Sequence, residues 1–211
     1  MTRFTGHDLE CFRGERTVFR GLAFALGPGG ALVLTGANGS GKSSLLRLMA
    51  GLASPAAGRL EWDGQAVADD PGSHHRRLRY VGHLDPVKPA LTVAENLNFW
   101  AAMAGAADAR AVAARALDAF GIGRLAALPA RYLSAGQKRR VNLCRLLLAP
   151  AALWLLDEPA TALDRDAKGN LADAIRDHRA AGGMVVVSAH AETPVTDADT
   201  LELSGFRGTP R

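Results

Sequence analysis

Cysteine is scarce in this sequence: its 211 residues include two, Cys11 and Cys144, which lie far apart and form no CxxC motif or Cys/His cluster. This spacing predicts neither a disulfide framework nor a metal framework, and it is typical of a reducing compartment. Long apolar runs are also lacking, because no stretch approaches the roughly 20 residues that span a bilayer. The N-terminal MTRFTGHDLE lacks the apolar core of a signal peptide. We therefore expect any role at a membrane to be carried out from the cytosolic side, through a partner.

The chain also lacks a large excess of charge of one sign. The 25 Lys and Arg residues and the 21 Asp and Glu residues leave a net charge of +4. Such a small excess suits a phosphate-binding protein but does not indicate a nucleic-acid partner, and we expect none. The sequence has no internal repeat and no linker rich in Pro, Gly or Ser, so we expect one domain over residues 1–211.

The first part of the chain predicts short strands, then a strand, a turn and a helix. Apolar residues alternate before Gly30, ALVLT (31–35) is a buried-strand run, and helical spacing extends from Lys42 to about Ala50. A strand, a Gly-rich turn and a helix in this order form half of a nucleotide-binding α/β fold.

Two later apolar runs, LWLLD (153–157) and MVVVSAH (184–190), are typical of parallel strands buried on both faces. Residues 165–181 predict a crossover helix between them, and residues from about 92 to 149 have helical spacing. The expected α/β domain is thus a core with a helical insert: core about 1–83 and 150–211, insert about 84–149.

A phosphate-binding motif follows the strand at 31–35. It fits G-x-x-x-x-G-K-[ST] at every position, and we call it the phosphate loop: Gly36, Ala37, Asn38, Gly39, Ser40, Gly41, Lys42 and Ser43. Its glycines let backbone N–H groups turn towards the β- and γ-phosphates, while Lys42 supplies a positive charge and Ser43 a hydroxyl for Mg²⁺. Ser44 follows at the helix start, where the dipole favours an anion, and joins the predicted nucleotide site. The motif alone leaves kinases, GTPases, helicases and transporters open.

Two adjacent carboxylates end the apolar strand at 153–157. Asp157 is placed to hold Mg²⁺ through water, and Glu158 to orient and polarise an attacking water. One carboxylate cannot do both, because the metal-facing group is already engaged. A strand followed by Asp-Glu is equally typical of a solvated strand end, so this pattern needs the rest of the sequence beside it.

A second anion site is predicted at LSAGQ (133–137). Ser134 is a plausible N-cap of a helix that also carries Gly136 and Gln137, and the first N–H groups of a helix attract phosphate. The chain thus has two phosphate sites but one expected nucleotide position. A head-to-tail dimer resolves this, with LSAGQ of one subunit closing over the nucleotide on the phosphate loop of the other.

With these motifs in this order the chain resembles the ABC ATPase family over nearly its whole length. The ordered motifs are the phosphate loop, LSAGQ, LLDEP (155–159), the Ala162-Leu163-Asp164 segment and His190. The resemblance implies a P-loop NTPase core with an N-terminal antiparallel β subdomain and an inserted helical subdomain. It also implies ATP hydrolysis with Mg²⁺ in a dimer that sandwiches two ATP, with Asp164 near the nucleotide and His190 at the γ-phosphate.

Two positions depart from the family pattern. His83 stands where members of the family usually carry a Gln, and a neutral imidazole there can accept from a metal-bound water or bind Mg²⁺ directly. Phe12 lies near the place of the aromatic residue that stacks on adenine, although the alignment around Cys11 equally allows no ring at that place.

More narrowly, the chain resembles the ATP-binding subunits of haem-export complexes in bacterial cytochrome c maturation. The stretches that carry this likeness are FRGLAF, GSGKSSLLRLMAGL, YVGHLDPVKPALTVAENL and RRVNLCRLL. The resemblance implies integral membrane permease partners and a peripheral place on the cytoplasmic face of the inner membrane. We expect no direct haem binding, because His74 and His75 lie in an Arg-rich stretch that reads as a solvated loop.

Other functions compete with haem export. One is an ABC transporter for another substrate. A soluble ABC protein acting on ribosomes or DNA would usually have a second cassette or a long coiled coil, and this chain has neither. A non-hydrolysing regulatory module is disfavoured because the chain retains the residues that hydrolysis requires: Lys42, Asp157, Glu158 and His190.

Overall fold

The structure is a computed structural model that describes residues 2–14, 16–189 and 195–206. The chain divides into two compact units. The first comprises Met1–Tyr80, Ala151–Glu158 and His178–Arg211, and the second comprises Val81–Pro150 and Pro159–Asp177.

The described residues form nine strands, six α-helices and five short 3₁₀ turns. The strands are β1 (Phe4–Arg13), β2 (Arg16–Leu26), β3 (Ala31–Thr35), β4 (Ala57–Trp62), β5 (Gln65–Ala66), β6 (Leu78–Val81), β7 (Leu153–Asp157), β8 (Met184–Ser188) and β9 (Asp199–Glu202). The α-helices are α1 (Lys42–Met49), α2 (Pro71–Arg76), α3 (Val93–Met103), α4 (Ala109–Ala119), α5 (Ala135–Cys144) and α6 (Arg165–Ala180). Short 3₁₀ turns are Val67–Asp69, Gly123–Leu125, Ala130–Tyr132, Arg145–Leu147 and Leu203–Phe206.

An antiparallel sheet in the order β2-β1-β4-β5 opens the first unit. The sequence predicts short strands here, but β1 has 10 residues and β2 has 11. The register between them shifts at three places, the first between Gly6 and Leu9. Each bulge interrupts the alternation of apolar side chains while pairing continues beyond it, which is why the pattern looks like several short strands.

A second sheet, in the order β6-β7-β8-β3-β9, forms the centre of the first unit. Strand β8 lies between β3 and β7 and pairs in parallel with both. Every residue of β7 and β8 is buried, which confirms the expectation from their continuous apolar runs. Burying each large apolar side chain stabilises the fold by about 1.5–3 kcal/mol, so the strands beside the candidate site are held firmly.

Helix α1 packs against β7 and β8. It buries Leu45, Leu46, Leu48 and Met49, which join the core of the first unit. Its first residue, Lys42, is the lysine of the phosphate loop. Packing of this apolar face therefore determines where the end of the loop lies.

In the second unit, helices α3, α4 and α5 pack on one another. Helix α3 begins with a capping box in which Thr92 accepts from the N–H of Glu95 and the Glu95 carboxylate accepts from the N–H of Thr92. The Cys144 thiol is buried and donates to the carbonyl of Ala116 at 3.3 Å, and burial raises the pKa of this thiol. It is therefore a packing residue rather than a reactive thiolate. No helix in the described part of the chain is long and apolar enough to cross a membrane.

The stretch around His74 differs from the sequence prediction of a solvated loop. Asp70 caps helix α2 by accepting from the N–H of Ser73 at 2.9 Å. The helix turns His74 inward, where it is 1% exposed and its Nε2 lies 2.8 Å from the carbonyl oxygen of Met49. The prediction was wrong because the many polar neighbours of His74 suggested a solvated loop. In a helix, one position per turn can still face inward when its neighbours are polar.

A second imidazole, the half-buried His178, stacks on Trp154 of β7. The ring centroids are 4.0 Å apart with an interplanar angle of 5°. His178 Nε2 lies 3.2 Å from the carbonyl oxygen of Met184, and burial lowers the pKa of His178. The folded protein thus favours the neutral ring.

This lowered pKa gives the free energy of unfolding a pH dependence. Above the ordinary histidine pKa of about 6.5 the ring is neutral in both states, and its contribution is fully present. As pH falls below that value the unfolded chain binds the proton first, so stability is lost until the pH passes the lowered pKa of the folded state.

We expect His178→Gln, which keeps an amide donor for Met184, to lose about 0.5–1.5 kcal/mol in the free energy of unfolding at pH 7.5. Its free energy of unfolding, measured in urea, should also depend less on pH than that of the parent. The exposed His75→Gln control should keep the parent profile, and an unchanged slope in His178→Gln would contradict the assignment.

Candidate nucleotide-binding site

The first unit collects its candidate residues at the carboxyl edge of the parallel sheet. The phosphate loop follows β3, and Asp157 is the last residue of β7. Strand β8 lies between them, and its last residue, Ser188, is registered opposite both Leu34 and Asp157. Parallel strands bind ligands beyond their carboxyl ends, so this edge is where a nucleotide is expected in such a sheet.

The phosphate loop closes around the ammonium group of Lys42. Its Nζ donates to the carbonyls of Gly36 at 2.7 Å and Ala37 at 3.3 Å, and the residue is buried. Ser40 is fully buried and its hydroxyl has no hydrogen-bond partner among the described residues. A buried positive charge beside an unsatisfied hydroxyl is an environment that suits the oxygens of a phosphate.

Gly41 makes the close approach on which the loop depends. Its φ is +107°, and a Cβ at this position would lie 2.5 Å from Val18 Cγ1 of β2. Any other residue would meet both backbone strain and a clash with the antiparallel sheet. Ser43 and Ser44 follow in the first turn of α1, where Ser43 is exposed and Ser44 half-buried.

The two carboxylate residues share one hydrogen-bond partner, the hydroxyl of Ser188. Asp157 is buried, and its Oδ1 accepts from the Ser188 hydroxyl at 2.7 Å. Glu158 has a left-handed backbone with φ 47° and donates its N–H to the same hydroxyl at 2.9 Å. From the sequence, Asp157 and Glu158 are equally typical of a solvated strand end. In the structure, hydrogen bonds to Ser188 hold both residues at the sheet edge.

Sequence reasoning missed three residues at this edge. Ser188 is one, and a lone hydroxyl in the apolar VVVSAH run was the available signal. Tyr80 of β6 is another, and burial together with the negative charge of Asp157 raises the pKa of Tyr80. Glu202 of β9 accepts from the hydroxyl of Thr35 at 2.8 Å, and hydrogen bonds from Ser204 and Thr35 lower the pKa of Glu202.

The second unit contains LSAGQ at the start of α5. Ser134 is the N-cap, as predicted: its hydroxyl accepts from the N–H of Gln137 at 3.2 Å, and the Gln137 side chain accepts from the N–H of Ser134 at 2.9 Å. The first turn of a helix still leaves N–H groups without intrahelical partners. A Cβ on Gly136 would lie 2.7 Å from the carbonyl oxygen of Ala162, so LSAGQ lies directly against the 162–164 segment.

Asp164 is held in the second unit by two contacts. Its carboxylate pairs with Arg140 of α5 and accepts from the N–H of Ala167 at 2.9 Å. The carboxylate therefore caps the start of α6 while it is linked to the helix that LSAGQ begins.

His83 is exposed in the second unit, next to a segment that α5 anchors. Arg139 donates to the carbonyl of Gly82 at 2.8 Å and to Asp85 Oδ1 at 3.2 Å, and Asn142 donates to the same oxygen at 2.8 Å. The buried guanidinium of Arg139 thus connects the His83 segment to the LSAGQ helix.

The two remaining predicted residues are Phe12 and His190. Phe12 is 43% exposed near the end of β1, where it pairs with Thr17 of β2. An exposed ring is available for stacking. His190 lies outside the described residues.

Candidate metal ligands are sparse in the described part of the chain. The described residues contain no group of three or more His, Cys, Asp or Glu side chains that could hold an ion by themselves. The buried Asp157 carboxylate and the exposed Ser43 hydroxyl are nevertheless the kind of sparse oxygen ligands with which Mg²⁺ is bound when waters and substrate phosphates complete its shell.

The contact at Gly41 generates a test. In Gly41→Ala the added Cβ must displace Val18 or the loop, and the positive φ adds strain. We expect a loss of about 1–3 kcal/mol in the free energy of unfolding and at least a tenfold loss in nucleotide affinity, measured by calorimetry. Gly39→Ala is the matched control, since Gly39 also has a positive φ of +74° but no atom within 4 Å of the added Cβ. Equal affinities in the two variants would contradict the proposed importance of the Val18 contact.

The sequence matches the ABC transporter family model over residues 19–161. The cytochrome c biogenesis ATP-binding export protein CcmA of Rhodospirillum rubrum is 60% identical over 207 residues, which cover 98% of this chain and 88% of that protein. The protein of the same name from Paramagnetospirillum magneticum is 56% identical over 96% of this chain and 94% of that protein.

Solved structures agree with the predicted fold class. An ABC transporter ATP-binding protein from Pyrococcus furiosus has a TM-score of 0.85 at 22% identity, over 98% of this chain and all of that one (100%). The ATP-binding subunit of another ABC transporter has a TM-score of 0.80 at 27% identity, over 89% of this chain and 79% of that chain. The chain belongs to the ABC transporter family, as an ATP-binding and ATP-hydrolysing subunit in the group of cytochrome c biogenesis ATP-binding export proteins.

Proposed function

We propose that this ATPase powers haem export or release for cytochrome c maturation, working from the cytoplasmic face of the bacterial inner membrane. The observation that carries the proposal is the 60% identity to a cytochrome c biogenesis export protein over 98% of the chain. Two units then act together as one ATPase domain, with integral membrane permease subunits of the haem-export type as partners.

The first unit binds the triphosphate in this proposal. The backbone N–H groups of residues 36–41 surround the β- and γ-phosphates, and Lys42 exchanges its contacts with the carbonyls of the loop for phosphate oxygens. Ser43 and Asp157 would hold Mg²⁺, which would neutralise charge at the phosphates. Ser44 contributes to the same helix start, and Phe12 stacks on the adenine. A role for His83 at the metal stays a prediction from the family resemblance.

Hydrolysis depends on the orientation of a water molecule. Glu158 accepts a proton from the attacking water, while buried Asp157 stays engaged with Ser188 and the metal site. His190 contacts the γ-phosphate. Positioning and electrostatic stabilisation supply most of the rate, because phosphoryl transfer requires little covalent chemistry from the protein.

In the proposed dimer, the second unit of one subunit contributes residues to the nucleotide site of the other subunit. Ser134, Gly136 and Gln137 present the start of α5, and Asp164 lies beside them through its pair with Arg140. A helix start and an adjoining carboxylate are features that a neighbouring nucleotide can meet across a dimer. We therefore propose a homodimer that sandwiches two ATP.

The surface proposed to meet the permease also lies in the second unit. Leu84, Phe99 and Met103 are 82%, 50% and 73% exposed, respectively. Phe99 and Met103 lie four residues apart on α3, and large apolar side chains exposed on one helix face favour a protein partner. Because Arg139 anchors Gly82 and Asp85 to α5, displacement of this segment is expected to accompany displacement of LSAGQ.

The catalytic assignment is tested with Glu158→Gln. We expect turnover to fall about a hundredfold or more, because the amide cannot accept the proton from water. The variant should form an ATP-dependent dimer on size exclusion that the parent chain loses as it hydrolyses ATP. Glu61→Gln in the antiparallel sheet is the control and should hydrolyse normally. Turnover of Glu158→Gln at the parental rate would refute the role of Glu158 as base.

The substrate assignment is tested by purifying tagged Glu158→Gln from its native membranes with Mg-ATP. Stoichiometric recovery of haem-export permease subunits would support the proposal. A different permease would keep the ATPase assignment and reject haem export. Ribosomes or DNA without any membrane protein would reject the transporter assignment for this chain.

The docking surface is tested with the double variant Phe99→Ser, Met103→Ser. We expect at least a tenfold loss of co-purified permease, because apolar anchors usually carry most of the binding energy at such surfaces. ATP hydrolysis by the isolated chain should be unchanged. Leu52→Ser, at a 53% exposed position in the first unit, is the control. Normal permease recovery with the double variant would place the docking surface elsewhere.

A further inference from the structure

We propose that Ser188 is a positioning residue for ATP hydrolysis, whose hydroxyl holds the backbone of Glu158 and the carboxylate of Asp157 in one arrangement. The inference rests on the roles proposed above for these two residues. Ser188 does not need to touch ATP or the reacting water, because its action passes through its two neighbours.

The position of Ser188 in the sheet is the first support. It ends β8, it is fully buried, and its backbone is registered opposite Leu34 of β3 and Asp157 of β7. It is thus the residue of β8 that lies between the strand leading into the phosphate loop and the strand carrying the carboxylates. The other residues of β8 are apolar: Met184, Val185, Val186 and Val187.

The hydrogen bonds are the second support. The hydroxyl donates to Asp157 Oδ1 at 2.7 Å and accepts from the N–H of Glu158 at 2.9 Å. A serine hydroxyl has a single proton, so donation to Asp157 directs its lone pairs towards Glu158. The bond to a carboxylate is of the stronger, charge-assisted type, and it orients the weaker bond that follows.

The backbone of Glu158 is the third support. Its φ of 47° lies in the left-handed region, which is unfavourable for a residue with a side chain. Strained conformations at functional sites persist when the surroundings over-determine them. The N–H of Glu158 is held by the Ser188 hydroxyl, so loss of that acceptor should let the peptide relax and turn the Glu158 side chain away from its working direction.

A purely structural role for Ser188 predicts something different. A buried hydroxyl that only satisfies its neighbours would change the thermal midpoint when removed, while the folded fraction would hydrolyse ATP at the parental rate. The positioning role predicts a larger change in kcat than in KM, because most of the proposed ground-state contacts with ATP come from the phosphate loop. Steady-state kinetics of the 211-residue chain distinguish these two outcomes.

The experiment compares Ser188→Ala, Ser188→Thr and Val185→Ala, each assayed well below its own thermal midpoint. For Ser188→Ala we expect kcat to fall about tenfold or more, with KM for Mg-ATP within about threefold of the parent. Ser188→Thr restores the hydroxyl and should recover most of the lost kcat. Val185→Ala, a truncation in the same buried strand, should lower the midpoint and leave kcat unchanged.

Two results would overturn the proposal. One is a parental kcat in Ser188→Ala. The other is a loss of kcat in Val185→Ala as large as the loss in Ser188→Ala. Glu158→Gln in the same assay keeps the failures distinguishable. An inactive Glu158→Gln beside a fully active Ser188→Ala removes only the role of Ser188. A fully active Glu158→Gln removes the role of Glu158, and the inference about Ser188 with it.

Discussion

The parallel pairing of β3, β8 and β7 is the constraint on which the nucleotide site depends. A triphosphate needs backbone donors, a positive charge and carboxylates at one place, and these groups come from segments more than 100 residues apart in the sequence. Parallel strands bring their carboxyl ends to one edge, so a single register aligns Leu34, Ser188 and Asp157. The continuous apolar faces of β7 and β8 hold that register because any slip would expose buried side chains or bury polar ones.

The antiparallel sheet contributes to the site by contact rather than by catalytic groups. Val18 of β2 lies against Gly41, and this approach leaves no room for a side chain in the phosphate loop. Lys42 is meanwhile held by carbonyls of its own loop, which keeps a buried charge satisfied before substrate arrives. The loop is thus shaped by two sheets of the first unit, and under the proposed function Lys42 would exchange its carbonyl contacts for phosphate oxygens.

Helix α5 organises the second unit in a comparable way. It begins with the Ser134 capping box, its Arg139 binds Gly82 and Asp85, and its Arg140 pairs with Asp164. One helix therefore connects LSAGQ, the segment that carries His83, and the segment that precedes α6. A side chain as buried as Arg139 needs all of its polar contacts, so these segments are tied together within the unit. Under the proposed function, α5 would therefore transmit a displacement of LSAGQ to the segment that carries His83.

The sequence by itself determined the features that depend on neighbours along the chain. The phosphate loop, the buried runs of β3, β7 and β8, and the N-cap at Ser134 follow from local spacing, because backbone geometry repeats every two or 3.6 residues. It did not reveal the burial of His74 or the bonds of Ser188, Glu202 and Arg139. Those depend on which distant residues a register or a helix packing brings together, and a side chain's neighbours in space leave no periodic trace in the sequence. Only the tertiary structure decided, for that reason, that a serine among valines would hold both carboxylate residues of the site.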